Sequence, residues 1–471
     1  MEEFPRQPDQ ALDCQADSHQ GSGLAAAGAI GRTAERPPTG RGPLSWVGRW
    51  LNPNPRRVLI GTCWLALVLW CAWWCASARE GELKGVKHTW MLLSFYGCDF
   101  YNHIDFPSRL WWQGGNPYTS EVHFFAYPPL VVRLFAWVNA TTPRIALTVW
   151  QAVMAGFIAV AACVAVKTRR RLALGEVPAI LGVVLILAST PVMFAIERGQ
   201  IDPLTLVFIL VSLPLLRCSS GWAQFLAGGV LCLAPWIKVY PGLLALALIG
   251  LRRWRALLGF AVVGAAILLL DLDAVRYFLA NNQIHISRTE ALNRAFPDGP
   301  RPWNHPLALV WSSLWTGTSL RWLALIPGKV AAAILLVPPL GWVSYHVYRC
   351  PRRAEVTYPY FLWIVALATF VPPLSNDYNL CFLPLAVLAA WDRRDPLLVS
   401  VAVALLFLWW QPVGMLIAGK PLLLIKLFGL CAVGVSIVER AAEQASLAGS
   451  ETGCDPKAAA TSSPARSVLA A

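Results

Sequence analysis

Charge-poor apolar runs recur along the whole chain, at about 58–78, 145–166, 177–196, 201–216, 222–238, 239–251, 256–270, 324–348, 356–373, 378–391, 396–413 and 420–438. Only 14% of the residues are charged, whereas soluble domains carry about 25%. Hydrophobic residues make up 56% and mean hydropathy is +0.52. A backbone in hydrocarbon has no water to bond, so each spanning segment must satisfy its own N–H and C=O groups as a helix or in a closed barrel. The chain is therefore predicted to be an all-α polytopic membrane protein, a bundle of about twelve transmembrane helices. A crossing takes about 20 residues, with a range of roughly 17–25. The runs 239–251 and 378–391 fall short of that, so their flanks complete them or the helices are broken. The 23 tryptophans suit amphipathic rings at the two bilayer surfaces.

Basic residues cluster at the ends of these runs. They stand at Arg49, Arg56 and Arg57, at Lys167 to Arg171, at Arg252, Arg253 and Arg255, from Arg349 to Arg353, at Arg393 and Arg394, and at Arg440. Positive charge favours the cytoplasmic side. Twelve crossings place every cluster there, on one condition: residues 126–140, which begin near Pro128-Pro129 and contain Arg133, do not cross. Both termini are then cytoplasmic. The segments 79–144, 197–202, 271–323 and 372–377, with the turn at 238–240, face the other side. The first of these is a long loop predicted to carry short interfacial helices. The net charge of +13 is thereby assigned to topology and anionic lipid, not to nucleic acid.

Residues 1–45 and 440–471 are polar and rich in small residues, and are predicted to be disordered cytoplasmic tails. Residues 46–439 form the membrane domain. The start carries no apolar run of the signal-peptide kind. The 12 cysteines have no paired CxxC spacing and most lie in apolar runs, so neither a disulfide nor a zinc site is expected. No phosphate-binding glycine loop, HExxH or nucleophile elbow is present.

The unusual polar residues gather on the extracytoplasmic side. Asp99 follows the first run, in Cys98-Asp99-Phe100-Tyr101. Loops beyond about 12–15 residues are functional or disordered as a rule, and the aromatic content of this one argues for a packed subdomain. Asp99 is a candidate general base, or a helix cap. Phe100 and Tyr101 would desolvate it and raise its pKa. Asp105 is the competing carboxylate, with Arg109 four residues on as its natural ion-pair partner. Glu197-Arg198-Gly199-Gln200-Ile201-Asp202 interrupts an apolar stretch. It is either a ligand loop or a turn with a Glu197–Arg198 surface pair. Lys238 lies between Pro235 and Pro241, next to Tyr240, at a helix break. It is a phosphate partner or a snorkelling lysine. Lys329 and Lys426 border spans and are expected to snorkel. Asn304-His305-Pro306 and the turn Ser375-Asn376-Asp377-Tyr378 complete the set, with His305 suited to acid–base work near neutral pH.

Taken together, Asp99-Phe100-Tyr101, Gly115-Asn116-Pro117-Tyr118, Tyr127-Pro128-Pro129-Leu130, Gly199-Gln200, Lys238 with Pro241, Asn304-His305 and the Pro372 to Pro384 stretch resemble glycosyltransferase family 87 of the GT-C superfamily. The blocks occur in that family's order. Asp202 departs from the family pattern, which usually has Asn there. The Ser375 to Tyr378 turn lacks the Trp and His often found in it.

The resemblance implies a GT-C-type bundle in the cell membrane, working on its extracytoplasmic face. It implies inverting transfer of mannose, or a related hexose or pentose, from a polyprenyl-phosphate donor to a lipid or glycan acceptor. No cofactor or metal is implied. Asp99 and His305 would be catalytic. Tyr101, Tyr127, Arg198, Gln200, Asp202, Lys238, Tyr240, Asn304, Asn376 and Tyr378 would bind substrate. A transporter or lipid flippase is the alternative, since it too has many spans and broken helices.

This topology is testable. A cysteine placed at Lys167 should react with an impermeant maleimide only after the membrane is opened. Labelling from outside would overturn the arrangement.

Overall fold

The structure is a computed structural model that describes residues 97–119, 125–171, 179–187, 189–295, 319–350, 353–372, 377–390 and 420–452, with residues 177, 311 and 315. All of them lie in one compact unit, Pro53–Ala471. Among the described residues every regular element is helical. The first helix, α1, runs from Cys98 to Trp112 with a π-helical turn at Tyr101–Asp105. Then come α2 (Leu130–Leu134), α3 (Pro143–Arg171), α4 (Ala179–Leu187), α5 (Thr190–Arg198), α6 (Leu204–Arg217) and α7 (Gly221–Cys232). They are followed by α8 (Leu244–Gly250), α9 (Trp254–Leu270), α10 (Leu272–Ala295), α11 (Gly328–Arg349), α12 (Arg353–Ala368), α13 (Phe382–Ala390) and α14 (Lys420–Thr452).

The apolar runs within the described residues are helical, but the spans are less uniform than the run count suggests. Among the described residues two helices are long and apolar enough to cross alone, Pro143–Arg169 and Gly328–Arg349. Two bent pairs raise the number to four. The 177–196 run breaks into α4 and α5, with a bend of 65° at Ser189, and α9 turns into α10 through 93° at Asp271. The run 201–216 is a helix of 14 residues and the 222–238 run one of 12. At about 1.5 Å per residue neither helix alone reaches across about 30 Å of hydrocarbon, so a crossing by either run needs its non-helical flanks. Pro203, Ser220 and Pro235 bound them, and proline cannot continue a helix that needs its N–H. The runs 58–78 and 396–413 lie outside the described residues.

The last described helix, α14, runs through Thr452, with Ala441 buried and Arg440 paired with Glu443 at 2.5 Å. One other expectation is revised: Lys426, expected to snorkel, is 1% exposed. Residues 126–140 form α2, five residues long, and a 3-10 turn at Ala136–Ala140, neither of them long enough to cross a membrane alone.

The core is built around α12. Every residue from Val356 to Ala368 is buried, as expected of a helix that is apolar all round. Its few polar groups are satisfied across helices. Tyr358 donates to the Ala161 carbonyl at 2.8 Å, Tyr360 to Ser344 Oγ at 2.7 Å, and the Trp363 indole to the Leu430 carbonyl at 2.8 Å. Outer faces stay apolar and exposed, as at Ile180, Trp222, Leu270 and Leu325, which suits lipid contact.

A second, aromatic cluster lies beneath the first loop. Phe100, Ile104, Tyr118, Phe125, Tyr127 and Phe135 pack with Trp150 and Met154 of α3, with Ile201 and Ile237, and with Phe278 of α10. Polar ties lock it. Asn281 donates to the Phe125 carbonyl at 2.6 Å, and Arg133 pairs with Asp271 at 2.7 Å. This cluster sets the first loop over the ends of α5 and α7.

Helices α7 and α9 meet backbone to backbone. A Cβ on Gly228 would sit 1.7 Å from the Ala256 carbonyl oxygen, and one on Gly259 2.0 Å from that of Phe225. Small residues allow such crossings. Gly259→Val should therefore cost about 2 kcal/mol or more and lower the unfolding midpoint by several degrees. Gly156→Ala, where a Cβ meets nothing within 4 Å, should leave it unchanged. Equal midpoints would refute the close crossing.

Candidate active site

The site begins at the end of α5. Pro191 opens this nine-residue helix and Gly199 closes it in the left-handed region, at φ 69°. The Gln200 N–H returns to the Ala195 carbonyl at 2.9 Å, a glycine-terminated cap. A Cβ at Gly199 would stand 2.6 Å from Cβ of Phe100, so glycine serves both the turn and the approach of α1. The Trp150 indole donates to the Gly199 carbonyl at 3.2 Å, and Gln151 to those of Ile196 and Glu197 at 3.1 and 3.3 Å. The reversal brings the side chains of Arg198 and Gln200, on either side of Gly199, to one carboxylate.

That carboxylate is Asp99. Arg198 grips it with two parallel bonds, Nε to Oδ2 at 2.5 Å and a terminal nitrogen to Oδ1 at 2.6 Å. Gln200 donates to Oδ2 as well. Asp99 is buried. Arg198 thus pairs with Asp99 and not with Glu197 as a surface turn would have it. Burial pushes the Asp99 carboxyl up, but the Arg198 bonds and charge, the nearby His103 and Gln200 together outweigh it and hold the group below its ordinary 3.8. The expected rise does not occur, because desolvation came with a cation. Beside it, burial and then the charge of Asp99 push the Cys98 thiol up to about 12.

A second carboxylate lies across Gln200. Asp202 is fully buried and accepts from Lys238 Nζ at 2.6 Å, from Asn379 Nδ2 at 2.8 Å and from the Tyr240 hydroxyl. Lys238 occupies the break between α7 and α8, and its ammonium lies 5.6 Å from the ring centre of Tyr127 and 5.8 Å from that of Tyr240. Tyr127 joins the two halves, its hydroxyl 3.4 Å from Gln200 Oε1. Tyr118 fixes Tyr127 by donating to its carbonyl at 2.8 Å, and His103 packs edge-on to the Tyr127 ring. Lys238 thus has a buried carboxylate as its partner. Among the described residues no three His, Cys, Asp or Glu side chains converge as a metal site.

The structure brings together Asp99, Tyr127, Arg198, Gln200, Asp202, Lys238 and Tyr240. Tyr101 packs edge-on to Phe100 at the margin. Tyr378 belongs to a 3-10 turn at Asp377–Cys381, and its side chain is outside the described residues, as are Asn304, His305 and Asn376. Asn379 was not singled out, although it ends a polar turn that was. Asp105 takes the local partner its spacing predicts: Arg109 Nε donates to it at 3.0 and 3.1 Å, while the same guanidinium reaches the Thr141 carbonyl at 2.8 Å.

Residues 125–408, more than half of the chain, match glycosyltransferase family 87. The chain belongs to glycosyltransferase family 87. No curated protein and no solved structure matches it. The matched range of this glycosyltransferase holds Tyr127, Arg198, Gln200, Asp202, Lys238, Tyr240 and Asn379, while Asp99 and Tyr101 precede it.

Pairing lowers the Asp99 pKa, so its contribution to stability is present above the ordinary carboxylate pKa and is lost as pH falls through the lower, folded value. Asp99→Asn should destabilise the protein at pH 7. The gap between wild type and variant should begin to shrink as pH falls below about 4, near the unperturbed aspartate value, and close below the lower, folded value. A gap constant from pH 7 to pH 3 would mean that the ion pair contributes nothing.

Proposed function

We propose that this glycosyltransferase transfers a sugar from a polyprenyl-phosphate donor to a lipid or glycan acceptor, with inversion, on the extracytoplasmic face of the cell membrane. Mannose, or a related hexose or pentose, is the sugar. The observation that carries this reading is a buried carboxylate, Asp99, paired with Arg198 and joined through Gln200 and Tyr127 to a second ion pair, Lys238–Asp202, in a family 87 chain. Membership in that family favours transfer over transport. We keep the arrangement of twelve crossings with cytoplasmic termini, because it puts the site where nucleotide sugars do not reach and lipid-borne sugars do.

In this mechanism Asp99 takes the proton of the acceptor hydroxyl as that oxygen attacks the anomeric carbon. An ionised carboxylate is ready for this, and the attacking hydroxyl becomes more acidic as its new C–O bond forms. The bond from the anomeric carbon to the donor phosphate breaks on the opposite side, and its electrons leave with the phosphate. Arg198 and Lys238 stabilise that developing charge. Tyr127 and Tyr240 offer rings and hydroxyls to the sugar. Tyr101, Gln200, Asp202, Asn304, Asn376 and Tyr378 complete the binding set. His305 is placed there by its sequence context as a second acid–base group.

A positioned base contributes about 10²–10⁴-fold. Asp99→Asn should lower transfer from polyprenyl-phosphate-mannose by that factor, while Asp105→Asn, which breaks a structural pair, should stay within a few fold of wild type. A dead Asp105 variant beside an active Asp99 variant would reverse the assignment. If both were active, His305 would become the leading base.

A further inference from the structure

Arg198 is engaged by Asp99 and Lys238 by Asp202, each cation lying within 2.6 Å of a carboxylate oxygen. An incoming donor phosphate adds negative charge to a site that is largely shielded from water, and an unpaired charge there is costly. The phosphate therefore competes with a carboxylate for a cation.

The two pairs differ in how readily they can give up the cation. Asp202 is 0% exposed and is held by three side chains, Lys238, Tyr240 and Asn379. Asp99 and Arg198 are 8% and 19% exposed, against 0% and 17% for Asp202 and Lys238. Asp99 is thus the carboxylate with some access to water, and it keeps Gln200 and the nearby His103 when its cation moves. Arginine presents a planar fork that fits two phosphate oxygens as well as two carboxylate oxygens. The Phe194 ring, 5.4 Å from the guanidinium carbon, offers a surface on which the fork can swing.

We propose that donor binding is an anion exchange, in which the donor phosphate takes Arg198 from Asp99 and the carboxylate so released becomes the base for the acceptor. This rests on the reading of Asp99 given above. No covalent bond changes in the exchange. Its effect is to gate the base. While Arg198 holds it, Asp99 is a weak proton acceptor, with its oxygens engaged. Once Arg198 turns to phosphate, the burial of Asp99 is no longer offset by that cation and its proton affinity rises. The groups that face it are then Cys98, His103 and Gln200. The acceptor is activated only when a donor is in place, and the order of binding is donor first. Arg198 is the cation that answers the phosphate, and Lys238 is chiefly the partner that keeps Asp202 in position.

The test is equilibrium binding of a polyprenyl monophosphate, without sugar or acceptor, to the full-length protein in nanodiscs of zwitterionic lipid. Asp99→Asn removes the competitor and should tighten binding about tenfold, the lower end of a charge-assisted bond. Two double variants each remove an ion pair whole, so neither leaves a buried charge unpaired. Asp99→Asn with Arg198→Gln should weaken binding about tenfold or more relative to wild type, and Asp202→Asn with Lys238→Met should weaken it by a smaller factor. If Asp99→Asn binds no more tightly, or if the Lys238 pair and not the Arg198 pair controls affinity, the exchange is refuted. If Asp99→Asn fails to fold, the two double variants decide. Transfer by Asp99→Asn separates the two ideas. Tighter binding with transfer retained keeps the competition for Arg198 and removes Asp99 as base. Transfer lost without tighter binding keeps the base and removes the exchange.

Discussion

Two buried carboxylates that each require a cation organise this protein's polar centre. Leaving either charge unpaired in the interior would cost about 3–5 kcal/mol, so the fold must bring Arg198 to Asp99 and Lys238 to Asp202. Doing so ties the first loop to the end of α5, the start of α6 to the α7–α8 break, and, through Asn379, all of these to the turn before α13. Gln200 and Tyr127 stand between the two pairs. The helix breaks are where they are because these polar groups need backbone that a continuous helix could not supply.

Around that centre the two apolar clusters serve different ends. The one on α12 holds helices together with fully buried side chains and a few long-range hydrogen bonds to carbonyls. The aromatic one beneath the first loop holds a catalytic-type surface rather than a span. Asn281 and the Arg133–Asp271 pair fasten α10 to it, and the right-angle turn at Asp271 puts α10 in reach.

Much of the local structure was legible in the residues. Pro191 and Gly199 mark the limits of α5, and Pro128-Pro129 announces the short α2, too short to cross. The Asp105–Arg109 pair follows from a four-residue spacing on one helix. The lengths of the spans were less legible. Apolar runs do not reveal where a helix bends, so 177–196 read as one segment although it is two.

The sequence alone determined the helical class, the apolar faces, the breaks at proline and glycine, and the identity of the charged groups near those breaks, since each of these depends on neighbours within a few residues. Only the tertiary structure decided which charge meets which. Arg198 sits beside Glu197 in the chain but pairs with Asp99, 99 residues away, and Lys238 reaches back 36 residues to Asp202. The sign of the Asp99 pKa shift went with that choice. Burial by Phe100 pointed upward, and the fork of Arg198, delivered by a left-handed turn at Gly199, turned it down. Ion pairs of this kind have no sequence period, because their energy depends on distance through space and on shielding from water, and both are set by how the helices pack.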